Sequence, residues 1–223
     1  MNNNNKYEKR ISNAVIRRLP RYFRYLRELI RNGMMRISSR ELSERMNVTA
    51  SQIRQDLNCF GGFGQQGYGY NVKYLYNEIS HILGVDRELN AVIVGMGNLG
   101  RALAGNPLFE KRGVKITALF DIDREKIGTQ ISGLNVMHID NIGEFCKTNN
   151  VDIAVITIPK TEALDTITYL SDIGIRGFWN FSNAEINIPD KDIVVENVHL
   201  GDSLMTLCYE LTNGTADNSS AAK

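Results

Sequence analysis

Three glycines and an aspartate hold the most specific chemistry in this chain: Gly95, Gly97 and Gly100, spaced G-x-G-x-x-G, and Asp121. In a phosphate-binding turn the first glycine permits the sharp bend and the second lets backbone approach a pyrophosphate. The third lets a helix lie close on a strand. Met96, Asn98 and Leu99 complete the same turn. An acidic group at position 121 binds both ribose hydroxyls and repels a 2'-phosphate, which favours NAD(H) over NADP(H). An ordinary strand-to-helix turn is the plain alternative, and coenzyme A, also a diphosphate, is the rival ligand.

For these residues to act together, particular elements must hold them. Ala91 to Val94 is a short apolar run of the kind that forms a buried parallel strand. A helix over about Leu99 to Ala104 should aim its N-terminal N–H groups at the phosphates. A second strand, Ile116 to Phe120, delivers Asp121. Further along, Val151 to Ile158 reads as a strand halted by Pro159, Glu162 to Ile173 as a helix, and Gly177 to Phe181 and Ile193 to Val198 as strands. Strands alternating with helices imply a parallel sheet with ligands at the carboxyl ends of its strands, where Thr157, Pro159 and Asn180 fall; Trp179 is assigned to the core. The last helix, about Asp202 to Thr212, lines up Leu204, Leu207, Cys208 and Leu211 on one face and needs a partner, either its own domain or a second subunit. Asn213 to Lys223 is small and polar and is expected to be disordered.

Charge separates the two halves of the 223 residues. The overall +1 divides into +8 for residues 1–84 and −7 for residues 85–223, so the front half is suited to a polyanion. Within it, Asn13 to Leu19 is expected as a short helix interrupted by Pro20, followed by a helix over Arg21 to Arg31 closed by Asn32-Gly33. Tyr22, Leu26, Leu29 and Ile30 would face inward, with Arg21, Arg24, Arg27 and Arg31 opposite. Ser38 and Glu41 form a capping box for a helix over Ser39 to Met46, and Thr49 with Gln52 repeats the device for the next helix. There Ile53, Leu57 and Phe60 define an inward face, which turns Ser51, Gln52, Arg54, Gln55 and Asn58 outward as candidates for base edges and phosphates, Arg54 as the guanine reader. The stretch Phe60 to Tyr70 reads as a hairpin wing, with Gly64, Gln65, Gln66, Gly67 and Tyr68 at the duplex. Val72 to Leu83 returns to helix, with Leu75, Ile79, Ile82 and Leu83 inward and Gly84 as its stop.

Cys59, Cys146 and Cys208 are scattered and form neither a disulfide framework nor a zinc pattern, so no metal site is expected. No signal-like start and no apolar run of about 20 residues is present, which predicts a cytoplasmic protein without membrane association. His81, on the front half's last helix, His138, in an expected loop, and His199 belong to no catalytic constellation. No catalytic residue is assigned, and the oxidoreductase reading stands second to a non-enzymatic one.

Taken together, RRLPRYFRYLREL, RISSRELSERMNVTASQIRQDLNCFGGFGQQGYGYNV, GMGNLGRALA, FDID and VENVHLGDSL resemble the Rex family of redox-sensing repressors over nearly all of Val15 to Leu211. The resemblance implies an α/β chain: a winged helix-turn-helix domain (1–84), a Rossmann-type NAD(H)-binding domain (85–200), and a C-terminal, domain-swapped dimerisation helix with a flexible tail (201–223). It implies a homodimer that binds double-stranded palindromic operator DNA and lets go when NADH, rather than NAD+, closes it. It also assigns Ser38 and Ser39 to phosphate contacts, Arg54 to groove reading and Arg24 to relaying closure. Gln55 stands where the family often has a basic residue, Asn106 where it often has an aromatic one, and His199 where some members have an aspartate. A DNA-binding regulator of another nucleotide, such as coenzyme A, is the remaining alternative.

Overall fold

The computed structural model describes residues 11–60, 64–65, 68–190 and 192–220, with side chains over the same residues except 64–65 and 214–220. Two compact units emerge, residues 1–87 and 88–223.

The front unit is built on a single long helix, α1 (Asn13–Arg31), which runs through Pro20 instead of breaking there. Proline removes one hydrogen bond and crowds the carbonyl four residues back, a cost of about 3 kcal/mol. Val15 and Leu19 before it and Tyr22, Phe23, Leu26 and Leu29 after it all enter one core, and each large apolar side chain contributes about 1.5–3 kcal/mol, so packing on both sides overrides the break. Ile30, expected inward, is 36% exposed. After β1 (Arg36–Ile37) come α2 (Ser39–Met46) and α3 (Ala50–Asn58), joined through Asn47 in the left-handed conformation, φ 50°. The α2 capping box forms as the spacing predicts. The α3 cap is only half a box: Thr49 accepts from the Gln52 backbone, but the Gln52 side chain turns away to Asp56.

A three-stranded sheet in the order β1-β3-β2 joins β1 to a hairpin of β2 (Gly64–Gln65) and β3 (Gly69–Asn71), and α4 (Val72–Ile82) closes the unit. The wing is therefore present; its tip, Gln66 and Gly67, lies outside the described residues, as do the side chains of Gly64 and Gln65. Gly69 is required where the wing meets β1: its φ is +69° and a Cβ would stand 2.6 Å from the Ile37 carbonyl oxygen. Phe23 of α1 stacks on Tyr76 of α4 with ring centroids 4.6 Å apart. Ile82 and Leu83 pack half-buried on the core, and Gly84 follows at φ +68°.

The rear unit is a seven-stranded sheet in the order β10-β9-β8-β4-β5-β7-β6, formed by β4 (Leu89–Val94), β5 (Val114–Asp121), β6 (Gln130–Ile131), β7 (Leu134–His138), β8 (Ile153–Ile156), β9 (Gly177–Asn180) and β10 (Val194–Asn197). Every pairing is parallel except β6 with β7. Connections run outward from β4 in both directions, which places a crevice at the carboxyl ends of β4 and β8. Apolar residues on alternate positions bury against both faces: Val92, Val94, Phe120, Ala154 and Ile156 on one, Ile93, Leu119, Val136 and Val155 on the other. The first face is covered by α6 (Ile142–Thr148) and α7 (Lys160–Asp172), whereas the other carries the seven-residue α5 (Asn98–Ala104). Trp179 and Phe181 on that second face stay half-buried, with ring centroids 4.7 Å apart.

Sequence reading missed β6, β7 and α6, and His138 ends a strand instead of lying in a loop. The expected strand over 151–158 is shorter, Ile153–Ile156. The last helix, α8, spans Leu200–Ser220, so its backbone continues through most of the segment expected as a disordered tail. Among the described residues no helix is long and apolar enough to cross a membrane and no cluster of metal-ligating side chains appears.

Candidate functional site

Each unit carries its own site. In the rear unit a cleft of about 790 Å³ opens at the carboxyl ends of β4, β5 and β8, within the range usual for small-molecule sites. Of the sequence-predicted cofactor residues, Gly95, Gly97, Asp121, Thr157 and Pro159 line it. Met96 is fully buried and acts through its backbone, whose N–H donates to Asp121 Oδ2 at 2.6 Å. Asn98 and Leu99 open α5 without lining the cleft. Asn180 does not belong to the lining. Its amide nitrogen donates to the Ala184 carbonyl and to Asn197 Oδ1, and its oxygen accepts from Ser182, so it braces the segment after β9.

The three glycines differ in why they are glycine. Gly95 sits at φ +98°, and a Cβ there would meet the Thr157 carbonyl oxygen at 2.7 Å. A Cβ on Gly100 would overlap the Gly95 carbonyl oxygen, at 1.9 Å. Backbone conformation and packing therefore dictate both. Gly97 has an ordinary φ of −73° and open space where its Cβ would be, so neither reason applies. A glycine that the chain itself does not need, facing the cleft, fits a ligand that must come close to backbone at that point.

Asp121 ends β5 with only 7% exposure. Burial pushes its carboxyl up, but the N–H groups of Asp123 and Met96 and the Lys126 ammonium outweigh that and hold it below the usual carboxylate range. Lys126 Nζ lies 3.3 Å from Asp121 and 3.2 Å from Asp123. Oδ1 accepts only the Asp123 N–H among the described residues, which leaves a lone pair for a ribose hydroxyl. Sequence reasoning missed Lys126, Asp123, Glu162 and Thr166 as lining residues. The FDIDREK run showed the charges but not that the chain turns Lys126 back over the strand end. Thr157 ties β8 to the glycine turn, its hydroxyl 2.7 Å from the Gly95 carbonyl oxygen.

In the front unit α3 presents Ser51, Arg54, Gln55 and Asn58 to solvent, as its apolar spacing predicts, with Ile53, Leu57 and Phe60 buried; Gln52, expected outward with them, is half-buried because its amide reaches Asp56. Arg54 Nη1 donates to Ser39 Oγ at 3.0 Å, so α2 steadies the candidate guanine reader. Ser38 Oγ accepts from the Glu41 N–H as the cap of α2, and its backbone N–H and side chain also hydrogen-bond the Glu41 carboxylate, which they help to hold below its usual range. At the wing, Tyr68 is 70% exposed, and the Arg36 guanidinium lies 5.9 Å from its ring centre and donates to its carbonyl. Arg36 had not been singled out by the sequence.

Beneath this surface lies a second feature missed from the sequence. Asp56, 1% exposed, accepts from Arg18 Nε and Nη2, each at 2.7 Å, from the Tyr22 hydroxyl at 2.9 Å and from Gln52 Nε2 at 2.8 Å. Burial pushes its carboxyl up, but these donors and the Arg18 charge win, and it is held below its ordinary range. Burial and the bond to Asp56 push the Tyr22 phenol well up. The signal was available: Asp56 shares the helical face of Ile53, Leu57 and Phe60, where an unpaired acid would be costly.

Comparison with known proteins joins these two sites in one family. Residues 10–58 match the family described as a putative DNA-binding protein N-terminus, and residues 86–184 match the CoA binding domain family. The redox-sensing transcriptional repressor Rex of Clostridium botulinum (strain Eklund 17B / Type B) is 54% identical over 203 residues, 91% of this chain and 96% of that protein. The crystal structure of RSP in complex with beta-NAD+ and operator DNA matches with a TM-score of 0.86 at 50% identity, over 96% of this chain and 98% of that one. RSP in complex with beta-NADH also matches at 0.86, with 47% identity over 95% and 99% of the two chains. These relatives are transcriptional repressors and not enzymes, so the oxidoreductase alternative falls. With an arginine-rich winged helix ahead of a doubly wound nucleotide fold, matched over nine-tenths of its length, this chain belongs to the Rex family of redox-sensing transcriptional repressors.

Proposed function

We propose that this protein is a cytoplasmic homodimer that holds a palindromic operator through its paired winged helices and releases it when NADH enters the clefts at β4 and β8. The observation that carries the cofactor half is Gly97, whose missing side chain leaves room that no described residue fills. In this reading the backbone of Gly95 to Gly100 holds the pyrophosphate, Asp121 the ribose, and Thr157 and Pro159 flank the dinucleotide. Coenzyme A, suggested by the name of the second matching family, carries a phosphate on its ribose; Asp121 and Asp123 share the single Lys126 ammonium, so a net negative charge remains in the cleft, which favours the unphosphorylated ribose of NAD(H).

On the DNA side, Arg54 reads guanine. Ser38 and Ser39 take phosphates, Ser51, Gln52, Gln55 and Asn58 follow the major groove, and the wing from Gly64 to Tyr68 follows the backbone. Dimerisation falls to α8, on which Leu204, Met205, Leu207 and Leu211 are 49–64% exposed; a second copy exchanging the same helix buries them by two-fold symmetry.

Release requires that NADH bind one arrangement of the dimer better than the other. Moving the population from 1:99 to 99:1 takes about 5.5 kcal/mol of differential affinity, and two clefts acting on one closure share it. Fluorescence anisotropy of a labelled palindromic duplex tests the reading. Saturating NADH should dissociate the complex while NAD+ and coenzyme A leave it intact; a complex indifferent to NADH overturns it.

A further inference from the structure

Gln52 occupies the first turn of α3, where helix-turn-helix proteins place side chains that meet base edges. A free glutamine can serve adenine with both ends of its amide, the oxygen accepting from N6 and the nitrogen donating to N7. Here the amide is not free. Its nitrogen lies 2.8 Å from Asp56 Oδ1, and Asp56 is a buried carboxylate already receiving two bonds from Arg18 and one from Tyr22. Such a group has lone pairs and no proton to offer, so only the NH2 end of the glutamine can face it. Turning the amide over would oppose two oxygens inside the unit. The Gln52 oxygen makes no hydrogen bond among the described residues and is not a buried atom.

We infer that Gln52 is a specificity-determining residue latched by Asp56 so that its carbonyl oxygen alone meets the groove, where it accepts from an exocyclic amino group, adenine N6 or cytosine N4, at one position of each half-site. Asp56, with Arg18 and Tyr22 behind it, is the positioning residue. The latch persists in the complex because withdrawing the nitrogen takes a donor from a buried carboxylate, which costs more than one N7 contact returns. This inference rests on the proposed role of α3 as the DNA reader.

The test begins with the full chain selecting from a randomised palindromic duplex library, wild type beside Gln52→Met. Methionine keeps the length of the side chain and leaves Asp56 its Arg18 and Tyr22 partners. Wild type should show one adenine or cytosine per half-site whose preference disappears in Gln52→Met while other positions keep theirs. At that position, a purine lacking the 6-amino group, or a pyrimidinone lacking the 4-amino group, should weaken wild-type binding about tenfold. If the base is adenine, 7-deazaadenine should change binding by less than about twofold. A loss with 7-deazaadenine as large as that from removing the amino group overturns the inference, because the nitrogen is then free to read N7. So does a Gln52→Met selection identical to wild type. Should Gln52→Met not fold, the analogue scan on wild type decides alone: the inference stands if some position needs the amino group but not N7 and falls if none does. A wild-type chain that selects no sequence removes the underlying DNA-reading role, a failure distinct from the others.

Discussion

Replacing Gly97 and Gly100 by alanine, one at a time, separates ligand binding from folding. At Gly97 the backbone suits alanine and a Cβ touches nothing, so the fold should accept it. The small loss from alanine at a helix N-cap is offset by a gain of about 0.4–1 kcal/mol from a stiffer unfolded chain, and the melting temperature should move by no more than about 2 °C. In the proposed site the methyl nevertheless stands where the pyrophosphate would approach the backbone. Losing one or two charge-assisted hydrogen bonds there, about 2–4 kcal/mol, should weaken NADH binding roughly 30- to 700-fold. At Gly100 the Cβ lies 1.9 Å from the Gly95 carbonyl oxygen, so α5 must withdraw by roughly 1.5 Å to reach ordinary contact. Overpacking of that kind costs about 1–3 kcal/mol, and the melting temperature should fall by several degrees. Nicotinamide fluorescence titration beside thermal melts reads both quantities. If Gly97→Ala binds NADH within threefold of wild type, or loses it only with a stability loss like that of Gly100→Ala, the reasoning about the cradle is wrong.

Other consequences are equally direct. Arg54→Ala should reduce binding to the selected operator by at least about tenfold while leaving NADH affinity unchanged, because the two sites lie on separate units; equal loss of both would indicate a fold defect. Leu204→Glu with Leu207→Glu should convert a dimer to monomers in sedimentation and lower operator affinity with it, whereas an unchanged dimer would place the interface elsewhere. Stability should be level from pH 7 to about 5 and decline below about 4. The Asp56 and Asp121 carboxyls are held below their unfolded values, so their contribution is complete above the unfolded pKa and is lost as pH falls through the folded one. Asp56→Asn should flatten part of that acid limb in chemical denaturation, and an unaltered limb would contradict the assignment.

How much the sequence disclosed depended on whether a feature is local. The Ser38–Glu41 box, the Ile53, Leu57 and Phe60 face and the G-x-G-x-x-G turn are all set within one or two turns of chain, and each appears where its spacing places it. Pro20 misled because the packing that overrides it comes from α4 and α3, far along the chain. β7 went unseen because LNVMH is short and mixed, and pairing with β5 on one side and β6 on the other makes it a strand. Among the site residues, Asn180 carries the type and position of a ligand contact, yet Ala184, Ser182 and Asn197 consume its amide. Lys126 escaped for the converse reason, an ordinary charge in sequence that the turn after β5 brings to Asp121, whereas the place of Asp56 on the buried face of α3 was legible and its partner Arg18, far along the chain, was not.

The redox state of the nicotinamide, and not the mere presence of a dinucleotide, is expected to govern the grip on DNA. Holding total NADH plus NAD+ constant while varying their ratio, and following a labelled operator duplex by anisotropy, measures this directly. Occupancy of the duplex should fall steeply as the NADH fraction rises and recover when NADH is oxidised. A bound fraction that stays constant across the ratio would contradict the account.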